Sequence, residues 1–189
     1  MNRWTILAAA VPLALLGACG ENAADEPVEQ VAGVPAKGLD RSHAGTPMPD
    51  VEILAPDGST ESLADAERVP ILLNLWATWC APCKKELPTL NALARKHDGD
   101  GALAVIAVSQ DVGPQTSIEA ALAELGAADL GAYQDPKMAL TSALGVQVMP
   151  TTVLYDASGR EIWRYVGDLD WAGAEAAKLL AEAGRPAAS

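Results

Sequence analysis

Hydrophobic and polar positions fall into three regimes along this chain. From Trp4 to Ala18 nearly every residue is apolar, broken by Thr5 and Pro12. From Gly20 to about Gly45, Glu, Asp, Ala, Pro and Gly dominate, with few large apolar residues and no period. Beyond Thr46, short apolar runs alternate with segments of helical spacing. The first stretch is shorter than the roughly 20 apolar residues that span a bilayer. Arg3 is its only positive charge, and the next is Lys37. A basic start, an apolar middle and small residues at the end predict a secretory signal over residues 1–18. The second regime predicts a flexible tether over residues 19–45, with His43 as a solvated linker residue. The third predicts one domain over residues 46–189.

Within that domain Asp50 to Leu54 alternates like an edge strand, and Asp57-Gly58 signals a turn, so a small hairpin leads. Val69 to Trp76 is a continuous apolar run, as expected of a strand covered on both faces. A helix from about Ala81 to His97 places Leu87, Leu90, Leu93 and Ala94 on one side, although Pro88 inside it should kink it. Leu103 to Val108 reads as a second buried strand. Ile118, Ala121, Leu122 and Leu125 mark an amphipathic helix, and a shorter helix covers Lys137 to Leu144. Thr151 to Tyr155 and Glu161 to Val166 flank the turn Asp156-Ala157-Ser158-Gly159, a second hairpin. A last helix starts near Asp168 or Asp170, either a good N-cap, and turns Leu179 and Leu180 inward. This order predicts an α/β domain, a central mixed sheet with helices on both faces.

Composition narrows the function. With 25 acidic and 13 basic residues the formal charge is −12, which argues against a nucleic-acid binder. Loss of residues 1–18 would remove Arg3 and no acid. There is no phenylalanine, so the five tryptophans stand out. Trp76, Trp163 and Trp171 read as core or half-buried packing without a role. Three cysteines is an odd number, which leaves one outside any internal pair.

Two of them, Cys80 and Cys83, follow a buried strand and open a helix. One helical turn brings their sulfurs within bonding distance. The helix N-terminus offers unpaired N–H groups and positive dipole to the first sulfur. That favours thiolate, the nucleophilic form. Cys80 is therefore expected to be the exposed attacker and Cys83 the resolving partner, with Pro82 where its missing N–H costs nothing. A zinc site needs about four ligands, and His43 and His97 stand at no motif spacing. A structural disulfide closing so short a loop would constrain little chain entropy. A copper site would need a histidine that has no obvious place. A redox dithiol is the reading the pattern favours, with no cofactor beyond it and no metal.

Two resemblances extend this reading. Leu16-Gly17-Ala18-Cys19 resembles the bacterial lipobox, which implies cleavage before Cys19 and acylation of its thiol; an ordinary signal peptide with a cysteine in its cleavage region and an uncleaved short anchor are the competing readings. The segment from Asn74 to Pro88, with Trp79-Cys80-Ala81-Pro82-Cys83-Lys84-Lys85-Glu86-Leu87-Pro88 at its centre, and Met149-Pro150-Thr151-Thr152, resemble the TlpA/ResA-type branch of the thioredoxin-like family. The similarity runs from about Thr46 to the C-terminus. It implies a thioredoxin-like fold with an N-terminal hairpin extension and an inserted helix.

Several site roles follow from that resemblance. A cis proline at Pro150 would face the dithiol, with Trp79, Met149, Pro150 and Thr151 contacting the substrate. Trp79 would also shield the neighbouring cysteines. The backbone of Met149 would be turned outward to pair with an extended client strand. Glu86 is the candidate that tunes the cysteines and shuttles the resolving proton; a surface glutamate beside solvated Lys84 and Lys85 is the competing reading. Asn74 stands where thioredoxins carry a buried aspartate, which makes Glu86 the better base.

The partners implied are a membrane electron donor of the DsbD/CcdA type and clients with cysteine pairs. Those clients would be apocytochrome c or copper-insertion proteins of cytochrome oxidase, reduced at a periplasmic membrane surface. The Ala-Pro dipeptide lacks the histidine of strong oxidants, which points to a reductant. A copper- or haem-assembly binding module without turnover, or a redox-sensing docking protein, are the alternatives from another class.

Overall fold

A computed structural model describes residues 35–65 and 69–184. The expected signal segment, Cys19 and most of the tether lie outside the described residues. In chain order the strands are β1 (Gly38–Asp40), β2 (Glu52–Leu54), β3 (Thr60–Ser62) and β4 (Ile71–Trp76). They are followed by α1 (Ala81–Lys96), β5 (Ala104–Ser109), α2 (Gln115–Glu124), β6 (Tyr133–Gln134) and α3 (Ala139–Ala143). The strands β7 (Thr151–Tyr155) and β8 (Glu161–Val166) and the helix α4 (Ala174–Leu180) complete the order.

All six residues of β4 are buried, which is why its sequence does not alternate. It lies between β5, parallel, and β7, antiparallel, in an eight-stranded sheet of order β1-β8-β7-β4-β5-β6-β2-β3. The mixed sheet of the sequence reading is therefore present. Strand period two divides β4 between two cores. Leu72 and Trp76 face the cluster that holds Leu87 and Leu90 of α1, Ile118 and Leu122 of α2, and Ala176 and Leu179 of α4. Leu73 and Leu75 face the opposite cluster with Leu140 of α3, Val153 and Tyr155. Asn74 shares the parity of Leu72 and Trp76 and so projects toward α1. Among the described residues, no helix is long and apolar enough to cross a membrane.

Two boundaries differ from expectation. The tether does not extend to residue 45, because Gly38–Asp40 pairs antiparallel with β8, Gly38 opposite Val166. Gly45 N–H also donates to Glu161 C=O at 2.8 Å. The last helix begins at Ala174, capped by Gly173, rather than near Asp168 or Asp170. Asp170 Oδ1 accepts from Ala172 N–H in the turn before the helix, and Asp168 pairs with Lys37 and Lys85 instead of capping. As expected, Pro88 lies inside α1, where its missing N–H leaves one rung of the ladder unmade.

Candidate active site

The site forms where β4 gives way to α1. Trp76 ends the strand, and Ala77 to Trp79 lead to Cys80, the N-cap residue of α1. Its backbone is extended (φ −86°, ψ 102°), and its Sγ accepts the N–H of Cys83 at 3.3 Å. This is the contact expected where a helix N-terminus stabilises a sulfur that carries negative charge. Cys80 and Cys83 are joined in a disulfide, their Cα atoms 5.3 Å apart. The expected exposure of Cys80 needs correction. It is only 6% exposed in the disulfide, its sulfur being turned toward Cys83, which is fully buried. Trp79 beside it is 69% exposed.

Asp111 fixes the approach to this turn. Its carboxylate accepts the backbone N–H of Thr78 at 2.9 Å, the Thr78 hydroxyl at 2.8 Å and the Ser109 hydroxyl at 2.6 Å. The loop carrying Trp79 is thereby tied to the end of β5.

Glu86 lies one helical turn beyond Cys83. It is not a surface residue, being only 2% exposed. Asn74 Nδ2 donates to its Oε1 at 2.8 Å, and Leu169 N–H and Trp171 Nε1 donate to its Oε2 at 3.1 and 3.2 Å. Burial pushes the carboxyl up to about 7, and the three hydrogen bonds restrain the rise. Asn74 also donates to Thr152 Oγ1 at 2.9 Å, while its buried Oδ1 has no hydrogen-bond partner. The reading of Trp171 as packing without a role is corrected, since its indole N–H holds Glu86. Nothing in the sequence pairs residues 86 and 171. The loop before α4 brings Leu169 and Trp171 back over α1, and only that closure shows it. Lys84 is exposed, and Lys85 reaches Asp168 at 3.3 Å while remaining largely solvated.

The Met149–Pro150 peptide bond is cis. Register places it at the same sheet end as the cysteines, because Thr151 at the start of β7 sits opposite Leu75 near the end of β4. Pro150 is buried and Met149 half-buried. Gly167 N–H donates to Pro150 C=O at 2.8 Å, and the Thr151 hydroxyl donates to Val148 C=O at 2.7 Å. Among the described residues, the N–H and C=O of Met149 have no hydrogen-bond partner. Nor do any three of His, Cys, Asp and Glu converge there as a metal-binding group.

A buried strand, a Cys-x-x-Cys turn at a helix N-terminus and a cis proline at the same sheet end define a thioredoxin-like site of the thiol–disulfide oxidoreductase type. The Redoxin family pattern matches residues 43–180, and the chain belongs to that family. It is 32% identical over 117 residues to the thiol-disulfide oxidoreductase ResA of Geobacillus thermodenitrificans. That match covers 61% of this chain and 65% of the relative, so the chain spans less than two thirds of that protein. It is 36% identical over 132 residues to the thiol:disulfide interchange protein HelX of Rhodobacter capsulatus, covering 67% of this chain and 69% of the relative. Among solved structures, a Chlorobium tepidum protein assigned as a thiol:disulfide interchange protein of DsbE type superposes with a TM-score of 0.65 at 29% identity. That superposition covers 75% of this chain and 98% of the other.

Proposed function

We propose that the protein is an extracytoplasmic thiol–disulfide oxidoreductase that reduces client disulfides through Cys80 and Cys83. The observation that carries this reading is the Cys80 sulfur at the N-cap of α1, bonded by the Cys83 N–H, with a buried carboxyl of raised pKa one turn further on. In the reduced form, Cys80 thiolate attacks one sulfur of a client disulfide. A mixed disulfide forms, and the other client sulfur leaves as thiolate and takes a proton. Glu86 carboxylate accepts the Cys83 thiol proton. Cys83 thiolate then attacks Cys80 Sγ, closing the Cys80–Cys83 bond and releasing the second client thiolate. The client gains two electrons, and the protein ends as the disulfide.

Asn74 suits a carboxyl that changes protonation. A half-turn of its amide would present the now unpartnered Oδ1 to a protonated Glu86 and to the Thr152 hydroxyl. Trp79 and Met149 face the client in this reading, while Pro150 and Thr151, both expected there, are buried. The free backbone groups of Met149 are suited to pairing with an extended strand.

The family resemblance supports reduction as the direction, with a membrane donor of the DsbD/CcdA type restoring the dithiol. It supports as clients apocytochrome c or copper-assembly proteins. The apolar segment ending at Cys19 supports periplasmic export and a lipid anchor. No cofactor beyond the disulfide enters the scheme.

Insulin reduction with an excess of dithiol tests it. The wild-type protein is expected to accelerate precipitation of the insulin chains, and Cys80→Ser to abolish the acceleration. Equal inactivity of wild type and Cys80→Ser, with tight binding of added copper, would replace the reductase by the binding-module reading.

A further inference from the structure

Four large apolar side chains are conspicuously exposed among the described residues: Leu39, Trp79, Val112 and Met138. Three of them share one place in the topology. The strands β4, β5 and β6 are adjacent and parallel, and register sets Trp76, Ser109 and Gln134 side by side at their C-terminal ends. Trp79 is three residues past the first, Val112 three past the second and Met138 four past the third. Each parallel strand therefore delivers one exposed apolar side chain to the loop that leaves it. The C-terminal edge of parallel strands is where α/β folds bind their ligands.

The three loops are tied together. Asp111 holds Thr78, beside Trp79. Gln134 Nε2 donates to Asp111 C=O and Gly113 C=O, both at 2.8 Å, on either side of Val112. Asp135 N–H donates to Ser109 C=O at 2.8 Å, and Met138 N–H to Asp135 C=O at 3.0 Å. Thr141 of α3 donates to Gln110 Oε1 at 2.7 Å. Exposure here belongs to a braced edge rather than to loose chain. Val112 is 78% exposed and Met138 47%. Met138 is also the one non-glycine with positive φ among the described residues (φ 50°, ψ 34°), a conformation that disfavours a side chain and concentrates at functional sites.

We propose that Trp79, Val112 and Met138 form an apolar row that selects clients by the residues beside their cysteine. The inference rests on the reductase reading and names what that site prefers. Across the strand ends the order is Met149, Cys80 with Trp79, Val112, then Met138. Strands are about 4.8 Å apart and an extended peptide advances about 3.3 Å per residue. A client strand with its cysteine over Cys80 thus carries the next roughly three residues across Val112 and Met138. The occupant is an extended client segment with apolar side chains within about three residues of its cysteine.

Two synthetic disulfide peptides test this, identical except that the three residues flanking each cysteine are Leu and Val in one and Ser in the other. Reduced wild-type protein is mixed with each, and the second-order rate constants are compared. The apolar peptide is expected to react on the order of tenfold faster, as partial burial of one or two apolar side chains allows. Val112→Asp and Met138→Ser should each lower that ratio toward one. Leu39→Ser, on the distant edge strand β1, should keep it, with circular dichroism confirming that every variant is folded. Equal rates for both peptides with wild type, or a ratio unchanged in both row variants, would overturn the row and leave the reductase standing. Failure of wild type to reduce either peptide or a small aromatic disulfide would overturn the reductase reading and the row with it. A wild-type dimer in sedimentation that Val112→Asp dissolves would assign the row to a second copy of this chain instead.

Discussion

Glu86 connects the chemistry of the site to measurable thermodynamics. Its carboxyl is raised from 4.5 to about 7 by burial. Between those values the folded protein holds a proton that the unfolded chain has released. The contribution to stability is therefore complete below about pH 4.5 and is lost as pH rises through about 7. The full span corresponds to roughly 3 kcal/mol. Urea unfolding of the oxidised protein is expected to show stability falling over that window, and Glu86→Gln to flatten the fall. An identical slope in the variant would remove Glu86 from the account. Trp171→Phe deletes one of the hydrogen bonds that hold the carboxyl down, so the Glu86 titration should move upward in carbon-detected NMR. A fixed or lowered titration would contradict that. At this scale the sequence placed Glu86 one turn from Cys83 and left its burial open. The deciding facts are Leu169 N–H and Trp171 Nε1, 83 and 85 residues away, which no local spacing reveals.

Elements carry the site by where they end. The strand β4, the helix α1 and the hairpin β7–β8 were legible because each has a long buried run or a clear period. The strands β1 and β6 were not: three and two residues are too short to show a period, and pairing with β8 and β5 defines them. Asp111 was likewise passed over, because an acid after a strand reads as loop until Thr78 is seen to fold onto it. Asp111→Ala removes three hydrogen bonds from the braced turn, and a loss of about 1–3 kcal/mol is expected in urea unfolding. A change below about 0.5 kcal/mol, typical of a surface substitution, would show that the loop holds itself. Residues through Asp40 belong to the sheet. Deleting 1–40 should therefore lower the melting temperature relative to deleting 1–34, and equal melting would return Gly38–Asp40 to the tether.

For the whole molecule, an acidic chain of formal charge −12 carries the Cys80–Cys83 disulfide just beyond the C-terminal end of β4. In the proposed scheme Cys80 at the helix N-terminus is the nucleophile, Cys83 the resolving thiol and Glu86 the buried carboxyl that moves the proton. The division of labour between the cysteines is the claim on which the rest depends. Its most direct test is mass spectrometry of Cys83→Ser and Cys80→Ser after incubation with a disulfide peptide. The expected result is a stable mixed disulfide on Cys80 in the first variant and no adduct in the second. An adduct on Cys83 in the second variant, or none on Cys80 in the first, would contradict the assignment of Cys80 as the attacking thiol.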